Sequence, residues 1–275
     1  MSAEDGSEER LGKGLATGAR HYRAFVGPPE DYDLIGALQF SLLMTLGLRE
    51  HHTLLDIGCG SLRAGRLFIP YLLPERYFAI EPERWLIDEG IRLEIGQDQI
   101  DLKKPTFSQE SDFRLTCFGR SFDFLMAQSI FSHTSPAQID RCLSEARKVM
   151  TETSVFVATF VEGAQNYDGE KWAYQGDNVT YTEDVERRGS VTYTLDFLQE
   201  AAVRAGLVCT RLEYPHPRQV WVAFTTPEGV DRLPAAEPEA RIGYLEDQLT
   251  RLRRKQRPSL AERVVSKLER TLRRS

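Results

Sequence analysis

A glycine-rich turn follows a short apolar run near residue 54. The run spans residues 54–57 (LLDI), and residues 58–60 (GCG) come directly after it. A short apolar run that ends in a glycine cluster is typical of a buried strand. Glycine accepts backbone conformations that a side chain forbids and lets a ligand approach the main chain. Since ligands of open α/β sheets bind at the carboxyl ends of the strands, we expect a small molecule to lie against this turn.

The turn does not match two common phosphate-binding patterns. A dinucleotide fingerprint would place a third glycine where Arg63 stands, and a P-loop would end in Gly-Lys-Ser or Gly-Lys-Thr. A nicotinamide-dependent oxidoreductase is therefore disfavoured. Comparing the binding of a nicotinamide cofactor with that of another candidate cofactor would test this conclusion.

Four short segments further along the chain are informative when they are considered together with the glycine-rich turn. They are residues 77–81 (YFAIE), 111–113 (SDF), 122–133 (FDFLMAQSIFSH) and 216–221 (HPRQVW). Together with the turn, these segments resemble the motifs of class I S-adenosylmethionine-dependent methyltransferases, and the resemblance covers residues 34–226. Many members of that family have a third glycine where this chain has Leu62, a variation that is common in the family.

The resemblance implies S-adenosyl-L-methionine as the cofactor and assigns roles to single residues. Glu81 would accept hydrogen bonds from both ribose hydroxyls, which suits a carboxylate because both of its oxygens are acceptors. Asp112 and Phe113 would contact the adenine. The predicted cofactor-binding residues are Asp56, Gly58, Cys59, Gly60, Glu81, Asp112, Phe113 and Gln128.

His133 is the predicted catalytic residue. It follows the fourth strand of the pattern, where the family transfers the methyl group. An oxygen or nitrogen acceptor can need a base, and the unperturbed pKa of histidine suits proton transfer near neutrality. The alternative is that His133 caps a loop or shields the cofactor. The sequence shows no compact cluster of metal-ligating residues, so no metal is expected.

The elements that must position these residues follow from the hydrophobic pattern. Helices are predicted at residues 34–47, 61–73 and 83–95, and strands alternate with them, which indicates crossover units and parallel pairing. Residues 135–138 (SPAQ) form a capping box that begins another helix. A buried strand is predicted at residues 155–161. The last two strands, 207–214 and 219–226, are too close for a helix between them and should pair antiparallel.

The predicted fold class is therefore α/β. It is a Rossmann-like, mostly parallel seven-stranded sheet with helices on both faces and a C-terminal antiparallel hairpin. Along the chain we predict an N-terminal arm (residues 1–33), the methyltransferase domain (34–228) and a basic helical C-terminal tail (229–275). The arm either folds over the cofactor or is a mobile terminus.

A long segment at residues 162–191 follows the fifth strand and has little periodic pattern. Its aromatic residues, mixed with Asn, Asp and Gln, suit contacts to a sugar or another polar ring, and a lid without substrate contact is an equal alternative. These aromatic residues are Tyr167, Trp172, Tyr174 and Tyr181.

The net charge is −6, yet residues 241–275 hold eleven basic and four acidic side chains. The acidic body has no electrostatic reason to bind nucleic acid. The basic tail could attach to an anionic membrane surface or self-associate, or pack on its own domain. The chain begins with an acidic segment unlike a signal peptide and has no apolar run of about 18 residues. The expected location is the cytoplasm, with peripheral attachment to a membrane left open.

These patterns predict an enzyme that transfers a methyl group from S-adenosyl-L-methionine to an oxygen of a small molecule or glycan. The alternative is a catalytically inactive cofactor-binding scaffold that acts through its basic tail. The intact turn and Glu81 favour the enzyme.

Overall fold

The computed structural model describes residues 11–169 and 190–233 of the 275-residue chain. The helices in these ranges are α1 (Tyr22–Phe25), α2 (Tyr32–Thr45), α3 (Gly65–Tyr71), α4 (Arg84–Gly90), α5 (Gln97–Lys103), α6 (Pro136–Val149) and α7 (Leu195–Arg204). The strands are β1 (Leu54–Ile57), β2 (Tyr77–Ile80), β3 (Thr106–Ser108), β4 (Phe122–Ala127), β5 (Met150–Glu162), β6 (Thr192–Tyr193), β7 (Val208–Leu212) and β8 (Val220–Thr225).

Seven strands form one sheet in the order β3-β2-β1-β4-β5-β8-β7. The first five are parallel to one another, whereas β8 is antiparallel to both β5 and β7. The predicted parallel sheet with a closing antiparallel hairpin is thus confirmed. The two-residue strand β6 pairs with the end of β5 and was not predicted, because two residues are too few to show a strand pattern.

The central strands are buried on both faces because helices cover both sides of the sheet. Every residue of β1 and β2 is buried. Successive side chains of a strand point to opposite faces, so Leu54 belongs to the same core cluster as Phe68 of α3, while Leu55 belongs to the cluster that contains Leu143 of α6. This continuous apolar pattern is typical of a parallel sheet between two helical layers.

The helix predicted at residues 61–73 begins later, at Gly65. The cause is Leu62, whose φ of 61° is left-handed and cannot belong to a right-handed helix. The helix predicted at residues 83–95 consists of α4 followed by a π-helical turn, Ile91–Ile95. Helix α5 was not predicted, because its seven residues bury no side chain and show no apolar stripe.

The predicted capping box of α6 is confirmed. The Ser135 hydroxyl accepts a hydrogen bond from the Gln138 amide (3.3 Å), and the Gln138 side chain accepts one from the Ser135 amide (2.9 Å). Strand β5 is longer than predicted, because it begins at Met150, beside the first residue of β4, and a register shift separates this start from the buried stretch.

Several predictions concern residues that the structure does not describe. The helical tail after residue 233 and the aromatic residues Trp172, Tyr174 and Tyr181 lie outside the described ranges. Within the described ranges, no helix has both the length and the apolar composition that crossing a membrane requires.

Two helices approach the segment after β1 without room for a side chain. A methyl group at Gly36 of α2 would lie 2.7 Å from the carbonyl oxygen of Arg63, and one at Gly90 of α4 would overlap the carbonyl of Ser61. In both cases the opposing atoms belong to the backbone and cannot rotate away. Glycine at these two positions therefore sets the position of residues 61–63.

We predict that Gly90→Ala destabilises the protein by about 1–3 kcal/mol, because the added methyl group overpacks the contact with Ser61. Helix propensity alone predicts the opposite effect on stability, since alanine stabilises a helix by about 1 kcal/mol relative to glycine. Chemical denaturation followed by circular dichroism measures the difference. The control Glu89→Ala, in the same helix, should stay within about 0.5 kcal/mol of wild type. An unchanged or more stable Gly90→Ala variant would contradict the steric argument.

Candidate functional site

In the turn after β1, every second residue has a left-handed backbone conformation. Gly58, Gly60 and Leu62 have φ angles of 74°, 54° and 61°. A non-glycine residue in this region costs about 1–2 kcal/mol. Leu62 is fully buried, so packing of its side chain offsets this cost. Leu62 thus has the same left-handed backbone conformation as the two glycines before it.

The turn is held against the end of β2. The amides of Gly58 and Cys59 donate to the Ile80 carbonyl at 2.8 and 3.1 Å. The Gly60 amide donates to the Glu81 carboxylate at 2.9 Å. This pairing fixes the turn and Glu81 at one edge of the sheet, where the carboxyl ends of β1 and β2 meet.

A cavity of ≈ 230 Å³ opens at this edge, at the carboxyl ends of β1, β2 and β4. The structure brings seven of the nine predicted site residues to its wall. They are Asp56, Gly58, Cys59, Gly60, Glu81, Gln128 and His133.

The other two predicted residues do not line this cavity. The exposed Asp112 carboxylate forms an ion pair with Arg141 (2.6 Å). Phe113 is buried in the core with a left-handed φ of 61°. A contact of Asp112 or Phe113 with an adenine therefore stays a prediction.

Glu81 presents a buried carboxylate to the cavity. Its two oxygens accept hydrogen bonds from the amides of Gly60 (2.9 Å) and Glu83 (3.0 Å). Burial raises the pKa of Glu81, and these two hydrogen bonds oppose the rise. Each carboxylate oxygen can accept more than one hydrogen bond, so Glu81 keeps acceptor capacity for a ligand.

Asp56, on β1, is a second buried carboxylate. Tyr77 on β2 donates a hydrogen bond to it (2.7 Å). Burial raises the pKa of Asp56 to about 7; the Tyr77 hydrogen bond and the Arg63 charge lower it, and Glu81 adds to the rise. The cavity wall therefore holds two acidic groups whose ionised forms are costly without a positively charged neighbour.

Arg63 brings a positive charge into the same wall. Its guanidinium donates to the Val26 carbonyl (2.9 Å) and to the Gln128 side-chain oxygen. Burial lowers the pKa of Arg63 to about 10, so the side chain remains charged at neutral pH. The Val26 carbonyl and the Gln128 amide are both neutral, which leaves the charge without a carboxylate contact among the described residues.

The chain after β4 forms a turn that carries His133. The His133 amide donates to the Ile130 carbonyl (2.9 Å), and the half-buried side chain lies in the cavity wall. Ser129 precedes it with a left-handed φ of 61°, and its amide donates to the Thr159 hydroxyl (2.7 Å). Strand β5 therefore supports the turn that positions His133.

A second histidine near the cavity is held neutral. Nδ1 of His216 accepts hydrogen bonds from the amides of Arg218 (3.1 Å) and Gln219 (2.9 Å). Burial lowers the pKa of His216 to about 3, with the charges of Arg218 and Arg63 adding to the effect. His216 orders the loop before β8, which leaves His133 as the histidine in the cavity wall.

The N-terminal arm covers part of the cavity. Four residues around α1 line it, namely Phe25, Val26, Gly27 and Pro28. Glu94, which follows α4, accepts hydrogen bonds from Tyr22 (2.7 Å), Arg23 (2.8 Å) and Arg66 (3.0 Å). Arg218 pairs with Asp31 on the other side of the arm. The described part of the arm is thus docked over the site.

Sequence reasoning missed several polar residues of the wall, among them Gln39, Arg63 and Gln219. Gln39 stands among the leucines of α2, and Arg63 follows the glycine turn by three positions. A lone amide on an apolar helix face and a charge beside a buried turn are signals that could have identified Gln39 and Arg63. Gln219 lies in the segment 216–221, which resembles a motif of the family, but the sequence does not distinguish it from the other polar residues of that segment.

We predict that Asp56→Asn stabilises the protein most at high pH. The folded-state pKa of Asp56 lies above the ordinary value of 3.8, so the carboxyl contributes stability below pH 4 that is lost as pH rises through about 7. Asparagine keeps an acceptor for Tyr77 and does not ionise. The free energy of unfolding of the variant should exceed that of wild type by about 2–4 kcal/mol at pH 8. At pH 5 this advantage should be smaller by about 2 kcal/mol. Denaturation at both pH values measures this, and a difference that is independent of pH would contradict it.

No protein-family model matches this sequence. The structure is similar to the magnesium protoporphyrin IX methyltransferase ChlM of Synechocystis PCC 6803 with bound S-adenosylhomocysteine, with a TM-score of 0.51 and 11% identity over 81% of this chain and 93% of that chain. It is also similar to the glycopeptide N-methyltransferase MtfA in complex with S-adenosylmethionine, with a TM-score of 0.50 and 13% identity over 70% of this chain and 94% of that chain. At such low identity the similarity concerns the fold. The chain has the fold of the class I S-adenosylmethionine-dependent methyltransferases.

Proposed function

We propose that this chain is an S-adenosyl-L-methionine-dependent methyltransferase. The observation that carries the proposal is the joint position of the glycine turn and Glu81 in one cavity, at the carboxyl ends of β1 and β2. This is where open α/β sheets bind their ligands. The fold of known methyltransferases supports the same reading.

The residues present fit such a cofactor. Glu81 keeps acceptor capacity for a pair of ribose hydroxyls. Gly58 and Gly60 line the cavity and carry no side chain, so a ligand can approach the backbone of the turn. Buried carboxylates in the wall favour a positively charged ligand such as a sulfonium.

When bound, the cofactor supplies a methyl group that is electrophilic because it is attached to a sulfonium. The residues of this chain then have to hold an acceptor in line with that methyl group, and positioning of this kind can lower a barrier by about 7–11 kcal/mol. We propose that His133, which lines the cavity, accepts the proton of an acceptor hydroxyl as its oxygen takes the methyl group.

The proposed acceptor is an oxygen of a small molecule or glycan. The two solved neighbours are named for a porphyrin and a glycopeptide, so the same fold serves acceptors of very different size. Tyr167, one of the aromatic residues considered for sugar stacking, packs into the core. The preference for a glycan therefore rests on Trp172, Tyr174 and Tyr181.

We predict that the protein binds S-adenosylhomocysteine and does not bind NAD, as measured by titration calorimetry. Glu81→Ala should weaken the binding of S-adenosylhomocysteine by about 10–100-fold, because two charge-assisted hydrogen bonds are lost. A matched control is Glu75→Ala, which alters an exposed carboxylate just before β2 and should leave binding unchanged.

No binding of S-adenosylhomocysteine by folded protein would refute the cofactor assignment, and saturable binding of NAD would favour an oxidoreductase. Binding without any methylated product across an acceptor panel would favour the inactive scaffold.

We predict that His133→Gln lowers kcat by about 10²–10⁴-fold and leaves the Kd of S-adenosylhomocysteine unchanged, because a general base acts in the chemical step. The measurement is formation of S-adenosylhomocysteine with an acceptor found in the panel, as a function of pH. The variant should also lose the acidic limb of the pH–rate profile. His51→Gln, an exposed histidine at the other end of β1, is the control. A change in Kd with an unaltered pH profile would instead indicate that His133 shields the cofactor.

A further inference from the structure

One polar side chain of the cavity wall has an unused hydrogen-bond acceptor. Gln219 lies in the wall, immediately before the first residue of β8. Its side-chain oxygen is buried and receives no hydrogen bond from any residue that the structure describes. A buried amide oxygen without a donor is costly, and a ligand with an O–H or N–H group would remove this cost.

The nitrogen end of the Gln219 side chain is fixed by two serines of the turn after β4. This nitrogen donates to the hydroxyl oxygens of Ser129 (3.0 Å) and Ser132 (3.4 Å). The Ser132 hydroxyl donates its own proton to the Ser129 carbonyl (3.0 Å), so it can only accept from Gln219. This contact distinguishes the nitrogen of the amide from its oxygen. The oxygen is therefore the end that remains for a ligand.

The backbone on both sides of this contact is held in place. The Gln219 amide donates to Nδ1 of His216 (2.9 Å), and β8, which begins at the next residue, pairs with β5. Ser129 has a left-handed φ of 61°, which is unfavourable for serine, and its amide donates to the Thr159 hydroxyl (2.7 Å). Backbone strain of this kind is concentrated at functional sites, where the surrounding structure fixes the conformation.

Gln219 contacts the residue next to the proposed base. Ser132 directly precedes His133, and both Gln219 and His133 line the cavity. Arg218, which lies in the same wall, forms an ion pair with Asp31, so its charge already has a partner. A neutral hydrogen-bond donor therefore suits this part of the wall better than an anion does.

We propose that Gln219 is a specificity-determining residue that accepts a hydrogen bond from a second hydroxyl group of the acceptor, beside the hydroxyl that is methylated. The acceptor is then a vicinal diol. This inference rests on the proposed function and deepens it by naming the acceptor class. The first hydroxyl gives its proton to His133 while its oxygen bonds to the methyl carbon and the carbon–sulfur bond breaks. The second hydroxyl keeps its proton and holds the first in position.

The test compares vicinal diols with their monomethyl ethers, in which one oxygen can no longer donate. The probes are catechol and the cis vicinal diol of cyclohexane, which also separate an aromatic from an alicyclic acceptor. With the full chain and S-adenosyl-L-methionine, kcat/KM should be about 10–100-fold higher for the diol than for its ether in at least one pair. This exceeds the statistical advantage of having two hydroxyls. Mass spectrometry should show a single methylation, because the product has lost one of its hydroxyls.

Variants of Gln219 test whether this residue causes the preference. Gln219→Met removes the acceptor atom and should reduce the preference for the diol to less than about threefold, with an unchanged Kd for S-adenosylhomocysteine. Gln219→Glu keeps an acceptor oxygen and should retain the preference. Gln97→Met, which alters an exposed glutamine of α5, is the matched control and should behave as wild type.

Ser129→Gly separates positioning of Gln219 from a purely structural role. The substitution removes one acceptor of the Gln219 amide, while glycine adopts the left-handed conformation more readily than serine. The variant should therefore fold as well as wild type in thermal denaturation and lose part of the preference for the diol.

Equal kcat/KM values within both pairs would overturn the inference, and so would a preference that persists in Gln219→Met. Methylation of neither diol would overturn it as well, and the binding of S-adenosylhomocysteine would then decide separately whether the proposed function stands. If Gln219→Met does not fold, Ser129→Gly takes its place: an undiminished preference for the diol in that variant would contradict the role of Gln219.

Discussion

The segment from residue 58 to residue 65 is packed closely against the backbones of two helices, α2 and α4, and this close approach positions everything else at the site. Gly36 of α2 and Gly90 of α4 contact its carbonyl groups without room for a side chain, and Gly65 faces the Tyr77 hydroxyl at a similar distance. Three left-handed residues are needed to lead the chain through this space. Because the contacts at Gly36 and Gly90 are between backbone atoms, residues 61–63 cannot shift toward α2 or α4 without moving a helix, and the groups on this segment are held rigidly.

That rigid segment gathers opposite charges in a small volume. Asp56 and Glu81 are carboxylates that burial makes harder to ionise, and Arg63 is a cation that burial makes easier to neutralise. None of these charges is fully compensated by its neighbours among the described residues. A ligand that carries charges of both signs would satisfy both kinds of group, which is a property of the proposed cofactor. The arm docked through Glu94 reduces the contact of these groups with water.

The sequence predicted the fold well where the local signal was strong. The apolar runs of the central strands, the capping box at Ser135 and the closing hairpin were read correctly because each depends on residues near one another in the chain. Helix α5 was missed because none of its side chains is fully buried, and the start of α3 was misplaced because a leucine occupies a left-handed position. The sequence does not reveal that a leucine has a left-handed backbone conformation, since only the packing around Leu62 offsets the energetic cost of that conformation.

The sequence by itself determined the sheet, the glycine turn and the placement of Glu81 at a strand end, because strand periodicity and turn residues are local properties. Only the tertiary structure decided which of the predicted residues meet. It brought Gln128 and His133 to the glycine turn and left Asp112 in an exposed ion pair. It also added Gln39 and Arg63, which stand on different elements and become neighbours only through the contact at Gly36. Contacts between elements depend on how helices dock on the sheet, and that information is spread over the whole chain.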